Sequence, residues 1–324
     1  MDQRRTRVVA RRPSQRMGAN TGVGAVGLRV DWYNDDSREV RAGTKGGSFV
    51  VKIALVTDSN AQMPAQLRDR YGIRVAPLGI TIDGVAFKEG VDISSEEFYQ
   101  QLAHGAAVAT SAASPGDVLA QYEAAAADGA EAILSIHIGS NTSATLNAVK
   151  VAQGLSPIPV TIVDTGTASF AIGCCVWAAA DALIAGASID AGAQRAYEVA
   201  AQVGNVFIVG ALDLAERGGR LAVQSREAPL PVLALEAGQM CPVAQVFDHD
   251  AAVDAMCDYV VQRAQDARQC IGVGNAGSEP LTQRFIERLH ETRVASEIVR
   301  YDIGPSVGAH TGLGTVGCVF FPKG

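Results

Sequence analysis

The sequence predicts an α/β protein of two domains: a three-layer α/β/α unit around a parallel sheet, then a two-layer α+β unit around a mixed sheet. Three observations carry this expectation. From Val50 onward, short apolar runs alternate with helical patterns, the mark of parallel strands covered on both faces. Beyond about residue 168 the order changes to two helices in succession and then longer strands. Finally, a chain of 324 residues exceeds what one hydrophobic core usually organises. The expected units are 51–167 and 168–324, with residues 1–50 set apart.

The elements follow in order. "VKIALVTD" reads as a buried strand ending at Asp58. "ITIDGVAF" (80–87) reads as a hairpin, with Asp83-Gly84 as a type I′ turn. Ser94 and Glu97 have capping-box spacing for a helix carrying Phe98 and Leu102. A helix over 117–128, a strand over 132–138, a helix over 143–153 and the strand "VTIVD" (160–164) complete the first unit. The second opens with Ala-rich helices over about 170–185 and 190–203. Strands follow at 206–212, 230–236 and 242–247, then a helix over 250–267 and the strand "CIGVGNA". A helix over 279–292 and the strands "EIVRYDI" and "VGCVFF" finish the chain.

Residues 1–50 hold ten Lys or Arg and five Asp or Glu and lack periodicity. They read as a disordered arm or as the product of a misassigned translation start. The remainder carries 17 basic and 29 acidic residues, a net of −12, which offers no electrostatic footprint for nucleic acid. The six cysteines show no C-x-x-C pairing and fit buried free thiols in a reducing compartment. No apolar run approaches the ~20 residues of a membrane span, and no apolar segment backs the N-terminal arginines. The expected location is cytoplasmic.

Several motifs fail on context. Gly22-Val23-Gly24-Ala25-Val26-Gly27 and Gly312-Leu313-Gly314-Thr315-Val316-Gly317 both spell G-x-G-x-x-G, but neither stands between a strand and a helix N-terminus as a dinucleotide site requires. Gly304-Pro305-Ser306-Val307-Gly308 spells a nucleophile elbow, yet no Asp or Glu follows Ser306 to complete a hydrolase triad. A small-molecule hydrolase or phosphotransferase using Ser306 or His310 is kept as the alternative. Asp164-Thr165-Gly166 has no second D-T-G and reads as a strand-end Asp capping the next helix. The five histidines are dispersed with no i, i+4 pair, so no metal is expected.

Three places point instead to an acidic ligand. "ATSAASPGD" (109–117) clusters Thr110, Ser111 and Ser114 before a helix, and "GSNTSAT" (139–145) follows a strand in the same way. Such loops at strand carboxyl ends either cap helices or hold anions. His310 lies among glycines that allow a ligand to approach the backbone closely. In "LDLAERGGRLA" (212–222), Arg217 and Arg220 flank a Gly pair, either as a solvated turn or as a contact for an anionic partner.

Taken in order, "IALVTDS", "PLGITIDGVAFKEGVDISSEEFY", "TSAASPG", "SNTSATLNA", "ERGGRL" and "GPSVGAHTGLG" resemble the DegV family of fatty-acid-binding proteins over about residues 51–322. The resemblance implies a two-domain carrier, not an enzyme, with no catalytic residue and no cofactor. It would hold one long-chain fatty acid, such as palmitate or oleate, in an apolar tunnel. By motif, the carboxylate would be bound by Thr110, Ser143 and His310, with Ser111 and Thr311 beside them. The resemblance also implies presentation of the acid to an ATP-dependent fatty-acid kinase, which makes acyl phosphate for phospholipid synthesis, and Arg217 and Arg220 are the candidate docking residues. The chain departs from the family pattern at Ala112-Ala113, where Gln-Pro is common. It departs again at Ala144, where Gly is usual, and at Phe247-Asp248, where basic residues are frequent.

Overall fold

The computed structural model describes residues 52–211, 230–236 and 239–323. The N-terminal arm expected over 1–50 and the Arg217–Arg220 turn lie outside the described residues.

The first sheet has the order β2-β1-β6-β7, all parallel, from β1 (Ile53–Asp58), β2 (Arg74–Ala76), β6 (Ala132–His137) and β7 (Val160–Asp164). Successive residues of a strand point to opposite faces, and β6 uses both. Ile133 packs with Val118, Tyr122, Val149 and Ala152 of α3 (Pro115–Ala127) and α4 (Thr145–Leu155). Leu134 and Ile136 face the other way, into a cluster with Ile172, Val176 and Trp177 of α5 (Phe170–Ile184).

A small antiparallel sheet, β4-β3-β5, lies beside it in the chain, built from β3 (Gly79–Ile82), β4 (Val85–Lys88) and β5 (Val108–Ser111). Its hairpin turn has φ 48° at Asp83 and 84° at Gly84, the two positive values that a type I′ turn demands. The expected capping box is present at the start of α2 (Ser95–Ala103): Glu97 N–H donates to Ser94 Oγ, and Ser94 N–H donates to the Glu97 carboxylate. Helix α1 (Ala65–Tyr71), β2 and β5 were not foreseen. They are three to seven residues long, too short for periodicity to register.

The second sheet has six strands in the order β10-β9-β8-β13-β11-β12. They are β8 (Gly204–Ile208), β9 (Leu230–Glu236), β10 (Gln239–Val246), β11 (Gln269–Asn275), β12 (Ala295–Asp302) and β13 (Val316–Pro322). Only β11 and β12 run parallel, joined through α8 (Glu279–Thr292); the other neighbours are antiparallel. Helices α7 (His249–Ala264) and α8 cover one face through Val253, Met256, Val260, Leu281, Phe285 and Leu289.

The opposite face is covered by α5. Every residue of α5 from Phe170 to Ala180 is buried, and a helix apolar all round needs partners on all sides. One cluster joins these residues to Leu55 and Leu134 of the first sheet and to Val299, Tyr301, Val319 and Phe321 of the second. Helix α5 therefore begins just beyond the expected boundary at 167/168 yet packs on both sheets, followed by α6 (Ile189–Gln202).

The cysteines behave as apolar filler. Burial pushes the Cys175 and Cys257 thiols up to about 12, so almost no thiolate exists at pH 8 and nucleophilic attack is suppressed. Alkylation of the native protein at pH 8 with iodoacetamide, read by peptide mass spectrometry, is expected to reach half-buried Cys241 first and to leave Cys174, Cys175, Cys257 and Cys318 unmodified until denaturant is added.

Candidate functional site

The C-terminal glycine-rich stretch contains a seven-residue helix, α9 (Pro305–Thr311). Proline at the first helical position is preorganised for that role, and the glycines have separate local reasons. A Cβ at Gly304 would lie 2.6 Å from Glu89 Oε1, and one at Gly308 would lie 2.3 Å from Tyr99 Oη. Both glycines admit side chains from the first part of the chain, and Tyr99 Oη donates to Ile303 O at 2.8 Å. Gly312 and Gly314 take φ of 81° and 93° in the turn into β13, a region glycine enters without a Cβ penalty.

Helix α9 brings His310 to β5, where His310 Nε2 and Thr110 Oγ1 stand 3.3 Å apart. Both side chains are half-buried. Ser114, by contrast, only caps α3, accepting from Asp117 N–H at 3.0 Å. The loop before α4 adds Ser143, whose Oγ lies 2.9 Å from Thr145 Oγ1 and accepts from Thr145 N–H at 3.2 Å. Thr145 Oγ1 in turn accepts from Ala113 N–H at 3.4 Å, so the two hydroxyl-bearing loops are tied together. A proline at 113 would lack that donor, which gives the Ala112-Ala113 departure a structural consequence. Ala144 sits at φ −76°, ψ 0°, where an alanine is unstrained.

These groups border one cavity of about 410 Å³, lined among others by Thr110, Ser111, Ser143, His310 and Thr311. Its remaining wall is mainly apolar: Ile138, Ala171, Phe207, Leu235, Met240 and Val319. Other polar lining residues are already engaged. Asn205 exchanges two hydrogen bonds with the Leu235 backbone, and Thr315 donates to backbone carbonyls of the α9 turn. Thr311 donates to Val307 O at 3.3 Å, which leaves its oxygen as an acceptor. Ser111 is exposed, its Oγ lying over Gly79, where a Cβ would come within 2.2 Å. Thr142, Ser143 and Ala144 also border a second, polar recess with Ser140, Asn147 and Lys150. Ser169, on the cavity wall, holds φ 61°, ψ −154°, a strained conformation for a residue other than glycine. Its amide is fixed by Asn60 Oδ1 at 2.8 Å.

The groups that support this site carry no local sequence signal for that role. Ser306, the candidate nucleophile, is buried and accepts from Asn60 Nδ2 at 3.1 Å and Gln62 Nε2 at 3.3 Å, while its N–H donates to Glu89 at 2.8 Å. Asp164 does not cap the next helix as expected; it accepts from Ser140 N–H and Oγ and from Gly166 N–H, fastening the loop that carries Ser143. His137, one of the dispersed histidines, lies in a chain in which Asp58 Oδ2, His137, Ser135 and Tyr122 are linked at 2.9, 2.7 and 2.8 Å. Its connectivity is that of a hydrolytic triad, but all four residues are fully buried and none lines the cavity. Among the described residues no three His, Cys, Asp or Glu side chains converge to hold a metal, and no helix is long and apolar enough to cross a membrane.

Comparison with known proteins agrees with this architecture. A family model described as "Uncharacterised protein, DegV family" matches residues 52–323. A DegV domain-containing protein of Streptomyces coelicolor is 33% identical over 274 residues, covering 82% of this chain and 97% of the relative. One from Mycobacterium tuberculosis is 28% identical, covering 82% and 96%. Among solved structures, a DegV family protein from Thermus thermophilus described as binding fatty acid superposes with a TM-score of 0.75 at 27% identity, covering 84% of this chain and all of that one. DegV from Bacillus subtilis has the same fold at a TM-score of 0.75 and 24% identity, with 84% and 100% coverage. With the match spanning both sheets and every element of the cavity described above, the chain belongs to the DegV family.

Proposed function

We propose that the chain binds one long-chain fatty acid in the 410 Å³ cavity, with the carboxylate between Thr110, Ser143 and His310 and the acyl chain along the second sheet. Ser111 and Thr311 flank the head group. The observation that carries the reading is the Thr110–His310 pair, 3.3 Å apart at the edge of a mainly apolar cavity. Hydroxyls and an imidazole can all donate to a carboxylate. The Thermus thermophilus relative, described as binding fatty acid, supports the same ligand class.

The energetics suit an acyl chain. Burying fourteen methylenes of palmitate at ~0.8 kcal/mol each gains about 11 kcal/mol gross, against ordering and desolvation costs. The head group then contributes a smaller share and fixes direction. Because Ser143 borders both the cavity and the outer polar recess, the carboxylate would sit nearest the surface, where a partner reaches it. That placement suits a carrier that contributes no catalytic group and presents the acid to an ATP-dependent kinase. Arg217 and Arg220 remain the candidate docking contacts, and the setting proposed is the cytoplasm.

His310→Ala tests the head-group assignment. Losing one hydrogen bond to a charged group costs about 1.5–3 kcal/mol, so palmitate affinity should fall roughly 10- to 100-fold with the unfolding temperature nearly unchanged. Calorimetric titration of delipidated protein reads this directly. Unchanged palmitate affinity in that variant would remove His310 from the site. Acyl-phosphate formation with ATP and a fatty-acid kinase, dependent on this chain, tests the presenting role.

A further inference from the structure

Glu89 is a buried carboxylate that does not line the cavity. It ends the segment after β4, is 6% exposed, and takes part in none of the ion pairs found among the described residues. Removing a carboxylate from water is costly unless its lone pairs are satisfied. Here they are satisfied across the molecule. Oε1 accepts from Ser306 N–H at 2.8 Å, and Oε2 accepts from the Ser59 hydroxyl. Burial pushes the carboxyl up, while hydrogen bonds from Ser59, Ser306 and Gln62 pull it back.

The recipient of this contact is the start of the helix that carries His310. Gly304, its N-cap, has no side chain to cap with, and Pro305 has no N–H. The amides of Gly304 and Ser306 are taken instead by Gln62 Oε1 and Glu89 Oε1, from the first half of the chain. Gly304 is what lets both acceptors approach. Ser306 and His310 are one helical turn apart, so pinning one sets the position of the other. The Thr110–His310 distance of 3.3 Å lies at the long end for a hydrogen bond, so a small shift of α9 would break the pair.

We infer that Glu89 is a positioning residue for head-group recognition: with Gln62 it caps α9 from the opposite half of the chain and so sets His310 against Thr110. The inference rests on the fatty-acid reading above. It differs from a general cohesive role in one respect. A residue acting through His310 affects only ligands whose head group His310 holds.

The test compares palmitate with hexadecanol, whose head group does not ionise, on delipidated wild-type protein and on Glu89→Ala, Glu89→Gln, His310→Ala and the double variant Glu89→Ala/His310→Ala. Glu89→Ala is expected to weaken palmitate about tenfold and hexadecanol by less than about twofold. Glu89→Gln, whose amide oxygen still accepts from Ser306, should stay within about threefold of wild type for both ligands. On the His310→Ala background, Glu89→Ala should change palmitate affinity by less than about twofold, since residues acting as one unit are not additive. Equal weakening of both ligands, no weakening of palmitate, or the full effect on the His310→Ala background would overturn the inference. Should Glu89→Ala fail to fold, Gln62→Ala removes the other acceptor and is judged by the same comparisons. Wild-type protein that takes up neither ligand would instead overturn the fatty-acid reading, and the inference with it.

Discussion

Ala171→Phe is expected to weaken palmitate binding by more than about 100-fold while decanoate binding changes by less than about threefold. Ala171 is buried in the first turn of α5 and lines the cavity. A benzyl group grown from it would occupy the space of about four methylenes, and at ~0.8 kcal/mol for each one displaced the loss is roughly 3 kcal/mol. The expected contrast requires the ring to fall beyond the tenth carbon, so that a ten-carbon acid keeps its head-group contacts. Calorimetric titration with the two acids reads the difference, and a thermal melt checks that the ring has not disturbed the core. Equal losses for both acids would place α5 against the head group or the first ten carbons, and no loss for either would mean that the acyl chain does not run past α5.

The second large effect is on stability. Asp58→Ala should lower the free energy of unfolding by about 3 kcal/mol or more, read as a fall in the urea midpoint. Asp58 is fully buried and accepts from Asn60 N–H at 3.1 Å, Ile138 N–H at 3.0 Å and His137 Nδ1 at 2.9 Å. Its removal strands three donors in the interior at the carboxyl ends of β1 and β6. Asp58→Asn keeps an acceptor and should recover part of the loss. Because Asn60 holds both Ser169 and Ser306, palmitate affinity should fall along with stability. A variant as stable as wild type would mean that the buried chain from Asp58 to Tyr122 carries no structural load.

Much of this was legible in the sequence because its causes are local. The type I′ turn at Asp83-Gly84 and the Ser94–Glu97 capping box each depend on residues within four positions, and both occur as read. The succession of the longer strands and helices followed from periodicity, whereas α1, β2, β5 and α9 are too short to register. What stayed hidden depends on partners far along the chain. Glu89 meets Ser306 across 217 positions and Asn60 meets Ser306 across 246, and no local pattern marks either contact. β5 has only four residues, and its strand character comes from pairing with β3. The glycines around His310 suggested backbone that a ligand could approach closely. Two of them admit the Glu89–Gln62 pair and Tyr99 instead, while Pro305 was the helix signal in the same stretch. Chain order assigns the helices at 170–202 to the second sheet, but burial all round α5 makes it common to both.

The site residues were named by motif, and Thr110, Ser111, Ser143, His310 and Thr311 do border one cavity. Their chemistry toward a ligand is the proposal that experiment must decide. Native and denaturing mass spectra of the freshly purified chain address it most directly. The account predicts a native mass excess of one fatty acid per chain that vanishes on denaturation, with the same acid recovered in an organic extract. A native mass equal to that of the bare polypeptide, with no uptake of added palmitate or oleate, would contradict it.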